Sequence, residues 1–125
     1  MTTVLVVDDS PTVRELVSEH LRQQKFTVVE AFDGLDATEK IKISVPDLVI
    51  TDVVMPRMNG YELCRWIKNN VKNKTVPVIM CTTKSEEFDK YWGMKQGADA
   101  YVTKPYNPPE LIDIVRRLIR MMKDA

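Results

Sequence analysis

Short apolar runs alternate along the chain with segments whose apolar residues recur at helical spacing. Five runs rich in β-branched and aliphatic residues predict strands at 3–7, 27–31, 48–51, 76–81 and 100–102. Between them, spacings of three and four residues predict core-facing helix stripes at Val13, Leu16, Val17 and Leu21, at Leu63, Ile67 and Val71, and at Leu111, Val115, Leu118 and Met122. The pattern is a fivefold alternation of strand and helix.

Residues at the ends of the predicted helices agree with this division. Ser10 before Pro11 is typical of an N-cap followed by a first helical turn. Gly97 is typical of a helix end, and Pro108 and Pro109 can open the last helix.

Strands joined by crossover helices predict a parallel sheet covered on both faces. The first, third and fourth runs are almost wholly apolar, whereas the second and fifth include polar residues and therefore suit the two edges. We expect an α/β, doubly wound, flavodoxin-like sheet of five parallel strands in the order 2-1-3-4-5. Ligands of such sheets bind beyond the carboxyl ends of the strands, here between the first and third strands.

Length and charge restrict the classes of function. A chain of 125 residues has the size of one domain, so we expect a single domain over 1–125. The 18 basic and 18 acidic residues cancel, which disfavours direct binding to nucleic acid or to an anionic membrane. No apolar stretch approaches the roughly 18 residues of a membrane span, and we expect a cytoplasmic protein.

Cys64 and Cys81 lie in apolar segments without metal-type spacing, which predicts buried free thiols.

Polar residues that could bind a metal or take part in catalysis follow four of the five predicted strands. They are Asp8 and Asp9 after the first, Asp52 at the end of the third, Thr82 and Thr83 at the end of the fourth, and Lys104 after the fifth. Each alone has an ordinary explanation as a helix cap, turn residue or loop charge. Together they predict a cluster at one edge of the sheet, where three close carboxylates either raise a pKa or bind a cation.

That cluster suits phosphoryl chemistry. Mg²⁺ prefers oxygen ligands, and a carboxylate can attack phosphorus to form an acyl phosphate. An ammonium and a hydroxyl, here Lys104 and Thr82, can stabilise the phosphoryl oxygens in the transition state.

Four stretches carry a family resemblance over the whole chain: VLVVDDSPTVR, PDLVITDVVMPRMNG, PVIMCTT and GADAYVTKPY. Together they resemble the receiver domain of bacterial two-component response regulators, and they are similar to the CheY-like single-domain members of chemotaxis and type IV pilus systems. The resemblance implies that Asp52 is the phosphorylation site. It also implies that Asp9, Asp52 and the backbone carbonyl of Val54 hold Mg²⁺, with Asp8 acting through water.

The resemblance also assigns a switch. Thr82 is the switch hydroxyl, Tyr101 the aromatic switch and Lys104 the phosphate-bridging lysine. The peptide bond between Lys104 and Pro105 is expected to be cis.

The function implied by the resemblance is that of a stand-alone, monomeric response regulator without an output domain. It is not an enzyme acting on a separate substrate, although it catalyses its own phosphotransfer and dephosphorylation. A histidine kinase supplies the phosphoryl group, and a downstream target protein docks on the face of the fourth helix, fifth strand and fifth helix, in chemotaxis or motility signalling.

Three residues near the acceptor depart from the family pattern or bear on phosphoryl lifetime. Thr83 stands where the family usually has Ala or Gly, so either access of the phosphoryl donor is hindered or the loop adopts a different position. Val54 offers no polar side chain to a hydrolytic water, and Lys84 is expected to be its neighbour across the mouth of the site, so the sequence leaves the phosphoryl lifetime open. The fourth helical segment also carries Phe88, Tyr91, Trp92 and Met94, which fit either a core or a docking face.

Two other classes share parts of this pattern. A haloacid-dehalogenase-like phosphatase also uses an aspartyl nucleophile, but it needs a second Asp where this chain has Val54. A flavodoxin-like cofactor carrier shares the topology, but no Ser/Thr/Gly-rich phosphate loop follows the first strand.

Overall fold

Strands and helices alternate along the chain in the computed structural model, which describes residues 2–70, 76–83, 94–105 and 107–124. The strands are β1 (Thr3–Val7), β2 (Thr27–Ala31), β3 (Leu48–Asp52), β4 (Val78–Thr82) and β5 (Ala100–Thr103). The helices with bounds within the described ranges are α1 (Pro11–Gln23), α2 (Gly34–Ile43), α3 (Gly60–Asn70) and the last helix, α4 (Pro108–Asp124).

The five strands form one parallel sheet in the order β2-β1-β3-β4-β5, which confirms the predicted topology. β2 and β5 are the edge strands, as their polar content predicted. The chain moves from β1 outward to β2 and returns to β3 on the other side of β1. The connections after β1 and β3 therefore diverge at their carboxyl ends, where ligands of doubly wound sheets bind.

Side chains of successive strand residues point to opposite faces, so the core is divided into two layers. On one face, Leu5 and Val7 pack in a cluster to which α2 and α3 contribute. On the other face, Val4 and Val6 pack in a cluster to which α1 and α4 contribute. Cys64 and Cys81 are buried free thiols within these layers, as predicted.

The helix ends follow the predicted signals. The Ser10 hydroxyl accepts a hydrogen bond from Val13 N at 3.3 Å and caps α1. Gly97 has a φ of 99° just after helical Met94 and Lys95. Pro108 is the first residue of α4.

Several details differ from the sequence prediction. β4 begins at Val78 rather than at residue 76, because Pro77 has no N–H to donate to a neighbouring strand. β3 extends through Asp52 and β5 through Thr103, each one residue beyond its predicted end. Leu16 was expected to face the core but is 53% exposed, because consecutive helical residues are about 100° apart and the neighbouring Val17 takes the core position.

Some predictions lie outside the described residues. They concern Val71, Lys84, Phe88, Tyr91 and Trp92, and thus most of the fourth predicted helix. Among the described residues of that segment, Met94 is 48% exposed. None of the described helices is both long enough and apolar enough to cross a membrane.

Candidate functional site

Three carboxylates meet at the carboxyl edge of the sheet. Oxygen atoms of Asp8, Asp9 and Asp52 all lie within 4.8 Å of one another. The strand register explains this, because Val7 pairs with Thr51 and the residue after each is an aspartate. Asp8 is buried, Asp52 is partly buried and Asp9 is exposed, so the cluster opens to solvent on one side.

Asp8 uses both of its carboxylate oxygens within the chain. Oδ1 accepts a hydrogen bond from the backbone N–H of Ser10 at 2.9 Å, and Oδ2 accepts one from Lys104 Nζ at 2.8 Å. Its backbone carbonyl accepts a hydrogen bond from Arg14 Nη1 at 2.9 Å, while Arg14 Nε pairs with Glu30 of β2 at 3.0 Å. The sequence analysis did not single out Arg14, a residue of α1 whose side chain fixes the turn that carries Asp8.

Asp52 lies at the centre of the cluster. Its Oδ1 accepts a hydrogen bond from Val53 N at 2.9 Å and lies 3.5 Å from Lys104 Nζ. Within the described part of the chain, Oδ2 is the oxygen that these contacts leave available. Burial raises the pKa of Asp52 and the negative charge of Asp8 adds to this, while the Lys104 charge and the Val53 N–H oppose it. The folded chain therefore disfavours the ionised form of Asp52 compared with an aspartate in water.

Lys104 brings a positive charge between the two aspartates. Its side chain is 15% exposed, and its peptide bond to Pro105 is cis, as the resemblance implied. Burial alone would lower the pKa of Lys104, but the hydrogen bond from Lys104 to Asp8 and the charges of Asp8 and Asp52 raise it overall. Lys104 therefore carries an ammonium at neutral pH.

The loop after Asp52 is held tightly at its two ends. Val53 N also donates to the carbonyl of Cys81 at 3.2 Å, and Gly60 N donates to the carbonyl of Val53 at 2.9 Å. A Cβ at Gly60 would lie 2.2 Å from the carbonyl oxygen of Asp52, so this close approach requires glycine. Between these ends, Val54 is 61% exposed.

The proposed switch residues lie on the two strands beside the site. The backbone of Thr82 ends β4 opposite Thr103, which places it at the same edge as Asp52, while its side chain lies outside the description. Thr83 is exposed. Tyr101 of β5 is paired with Met80 of β4, and its partly buried side chain packs against the core. The switch roles of Thr82 and Tyr101 stay predictions.

An ion pair between Arg57, in the loop after Asp52, and Asp33, at the start of α2, was missed by the sequence analysis. Arg57 Nε donates to Asp33 Oδ2 at 2.6 Å, and Asp33 is only 1% exposed. Asp33 directly before α2 is a residue type typical of an N-cap and could have predicted a helix start, but no local pattern predicts its contact with Arg57. The pair exists because the fold brings two loops side by side.

The donor set fits a hard divalent cation such as Mg²⁺. The clustered donors are carboxylate oxygens, the ligand type that Mg²⁺ prefers, and their mutual repulsion disfavours the cluster without a cation. The nearby Cys81 is not a competing ligand or nucleophile, because burial raises the pKa of its thiol to about 12.

The chain is similar to known proteins over most of its length. Residues 4–116 match the response regulator receiver domain family. The chain is 41% identical to protein PilG of Pseudomonas aeruginosa over 113 residues, covering 90% of this chain and 84% of PilG. It is 35% identical to protein PilH of the same organism over 119 residues, covering 95% and 98%. The chemotaxis protein CheY4 of Vibrio cholerae superimposes with a TM-score of 0.89 at 35% identity, covering 94% of this chain and 98% of that one.

Proposed function

The chain belongs to the response regulator receiver domain family, and from this premise we propose that it is a cytoplasmic phospho-acceptor switch that receives a phosphoryl group on Asp52 from a histidine kinase. The observation that carries the proposal is the contact set at the sheet edge. It comprises three clustered carboxylates and an ammonium that contacts two of them.

Asp52 is the nucleophile of this proposal. Its Oδ2 attacks the phosphorus of a phosphohistidine, the P–N bond breaks, and the electron pair stays on the imidazole, which takes up a proton. An acyl phosphate on Asp52 results. Asp8 is less suited to this role, because both of its oxygens already accept hydrogen bonds.

Lys104 stabilises the charge that gathers on the transferred group. Its ammonium lies 3.5 Å from Asp52 Oδ1, so a phosphoryl group on Asp52 would lie within its reach. Charge stabilisation of this kind supplies most of the catalysis in phosphoryl transfer. The hydroxyl of Thr82 is the second donor that we assign to the phosphoryl oxygens.

Mg²⁺ is the cofactor that we propose, held by Asp9, Asp52 and the backbone carbonyl of Val54, with Asp8 acting through water. When bound, it neutralises negative charge on the carboxylates and on the phosphoryl oxygens. The carboxylate of Asp8 is held in one orientation by its hydrogen bonds from Ser10 N and Lys104 Nζ, which would fix it for a water-mediated contact with the ion.

The signal that follows is a shift between two conformations. In this proposal the phosphoryl group attracts Thr82, and Tyr101 moves further into the space that Thr82 leaves. The face formed by the fourth predicted helix, β5 and α4 then binds a downstream target protein. A change from 1:99 to 99:1 requires about 5.5 kcal/mol of differential binding. Similarity to PilG, PilH and the chemotaxis protein CheY4 supports a place in chemotaxis or motility signalling. That the chain acts as a monomer is part of the proposal.

Intact-mass spectrometry tests the acceptor assignment. The protein is incubated with acetyl phosphate with and without Mg²⁺. We expect a gain of one phosphoryl group that requires Mg²⁺ and is absent in Asp52→Asn. Asp113→Asn, which removes an exposed acid on α4, is the matched control and should be phosphorylated like the wild type. A phosphoryl group that persists in Asp52→Asn would contradict the proposal.

A further inference from the structure

The loop between β3 and α3, residues 53–59, rests against the start of α2. Gly34 N donates a hydrogen bond to the carbonyl of Met58 at 3.2 Å, and Arg57 Nε donates to Asp33 Oδ2 at 2.6 Å. A Cβ at Gly34 would lie 2.5 Å from the Met58 carbonyl oxygen, so the two loops approach as closely as backbone allows. The loop that follows the phosphoryl acceptor is therefore fixed to a second loop as well as to its own strand.

The buried carboxylate of Asp33 accepts hydrogen bonds from both the start of α2 and the loop between β3 and α3. Its Oδ1 accepts a hydrogen bond from Asp36 N at 2.8 Å and caps α2, while its Oδ2 accepts the hydrogen bond from Arg57. Burial alone would raise the pKa of Asp33, but the bonds from Arg57 and from Asp36 N lower it overall. Asp33 is therefore ionised at neutral pH, and Arg57 supplies its counter-charge.

Arg57 adopts a backbone conformation that non-glycine residues rarely occupy. Its φ is 66°, in the left-handed region. The guanidinium also lies over the Phe32 ring, with Cζ 5.6 Å from the ring centroid. Strained residues of this kind persist where surrounding contacts hold them, and they concentrate at functional sites. Among the described contacts, the bond from Met58 N to the carbonyl of Pro56 at 2.8 Å closes the turn around Arg57, and those to Asp33 and Phe32 hold its side chain.

We propose that Arg57 is a positioning residue for the phosphoryl-acceptor site, and that its ion pair with Asp33 keeps the acceptor loop, and with it the Val54 carbonyl, in the observed conformation for binding Mg²⁺. This inference rests on the function proposed above. Arg57 lies three residues after Val54 in the sequence, so it would act on the Val54 carbonyl through the backbone of the loop. The bond from Gly60 N to Val53 O joins the two ends of the loop and the bond from Met58 N to Pro56 O lies within it, so neither ties residues 54–57 to another segment.

The sign of the effect on Mg²⁺ binding separates positioning from simple electrostatics. Arg57 is a cation, and removing a cation near a metal site strengthens attraction of Mg²⁺ if charge alone matters. Loss of positioning has the opposite sign, because partners that orient metal ligands typically contribute about tenfold or more to affinity. A role in stability alone changes the melting temperature and leaves Mg²⁺ affinity of the folded protein unchanged.

Arg57→Gly is the informative variant, because glycine accepts a φ of 66° without strain while the ion pair is lost. Its affinity for Mg²⁺ alone is measured by isothermal titration calorimetry on the full chain, and its phosphorylation rate with acetyl phosphate by intact mass. Lys42→Gln is the matched control. It also removes one cation, but Lys42 is an exposed residue of α2 that pairs with Glu39.

We expect Arg57→Gly to bind Mg²⁺ about tenfold more weakly and to be phosphorylated more slowly at subsaturating Mg²⁺, with both effects absent in Lys42→Gln. Combining Arg57→Gly with Asp33→Asn should weaken Mg²⁺ binding no further than the stronger single change, because both remove the same interaction. If Arg57→Gly does not fold, Arg57→Asn replaces it, because asparagine tolerates positive φ.

Unchanged or tighter Mg²⁺ binding in Arg57→Gly would overturn this inference while leaving the proposed function intact, provided that the wild type is phosphorylated on Asp52. If the wild type takes up no phosphoryl group on Asp52, the proposed function fails instead, whatever the variant does.

Discussion

Lys104 and Asp8, which are 96 positions apart in the sequence, form an ion pair with Nζ 2.8 Å from Oδ2 and with side chains only 15% and 7% exposed. The pair joins the end of β5 to the end of β1 across the sheet. Because the same ammonium lies 3.5 Å from Asp52, one cation partly balances two carboxylates at this edge of the sheet.

Replacing Lys104 with methionine should destabilise the folded chain. Removal of one partner of a buried ion pair leaves a buried charge without compensation, which typically costs about 3 kcal/mol or more of unfolding free energy. Urea denaturation in EDTA measures the change. Lys42→Met, at an exposed pair with Glu39, should change the unfolding free energy by less than about 1 kcal/mol. If the free energy of unfolding falls equally in the two variants, the Lys104 pair contributes no more to stability than an exposed pair.

Replacing Asp52 with asparagine should stabilise the metal-free protein at neutral pH. The pKa of Asp52 is raised in the folded state, chiefly by burial, so the unfolded chain prefers the ionised form. Ionisation of Asp52 therefore lowers the free energy of unfolding. This destabilisation is fully present above the folded-state pKa and disappears below the ordinary aspartate pKa of about 3.9. Melting curves in EDTA from pH 4 to pH 8 should show the variant's advantage growing with pH. A variant that is less stable than the wild type at pH 7 would contradict this.

Mg²⁺ should raise the melting temperature of the wild type. A ligand that binds only the folded state at ten times its Kd adds about 1.4 kcal/mol of stability. The gain should be smaller in Asp52→Asn, which has lost one ligand, and should be retained in Asp113→Asn. Differential scanning calorimetry with millimolar Mg²⁺ and with EDTA provides the measurement. An unchanged wild-type melting temperature would argue against the magnesium site.

The two cysteines should resist alkylation while the protein is folded. Burial raises the pKa of Cys64 to about 11 and that of Cys81 to about 12, so the reactive thiolate is scarce at pH 8. Intact-mass analysis after iodoacetamide treatment should show no rapid modification in buffer and two modifications in denaturing urea. Rapid labelling of the native protein would mean that one thiol is accessible.

Replacing Thr83 with alanine should accelerate phosphorylation. Thr83 is exposed and follows the end of β4 at the carboxyl edge of the sheet, where it stands in place of the small residue usual in the family. A smaller side chain should admit the phosphoryl donor more readily and raise the rate severalfold. Initial rates with acetyl phosphate at saturating Mg²⁺ test this. Thr103→Ala, on the neighbouring strand, is the control, and equal acceleration in both variants would refute a specific effect of access.

The amino-acid sequence by itself determined the five strands and their order along the chain. Apolar runs and helical spacings are local properties, so they located five strands and gave the edge positions of β2 and β5. The parallel topology then placed Asp8, Asp9 and Asp52 at one edge, because every strand of such a sheet ends on the same side. The family resemblance added roles for these residues that spacing alone does not give.

Only the tertiary structure decided which side chains touch across that edge. The Lys104–Asp8 contact depends on the sheet register and on the path of the chain after β5, and the Arg57–Asp33 pair depends on how two loops meet. Leu16 illustrates the same limit, since its spacing fits a core stripe but the orientation of α1 leaves it exposed. Hydrophobic periodicity fixes where an element lies along the chain, whereas contacts between loops arise from the packing of distant segments, which local patterns do not encode.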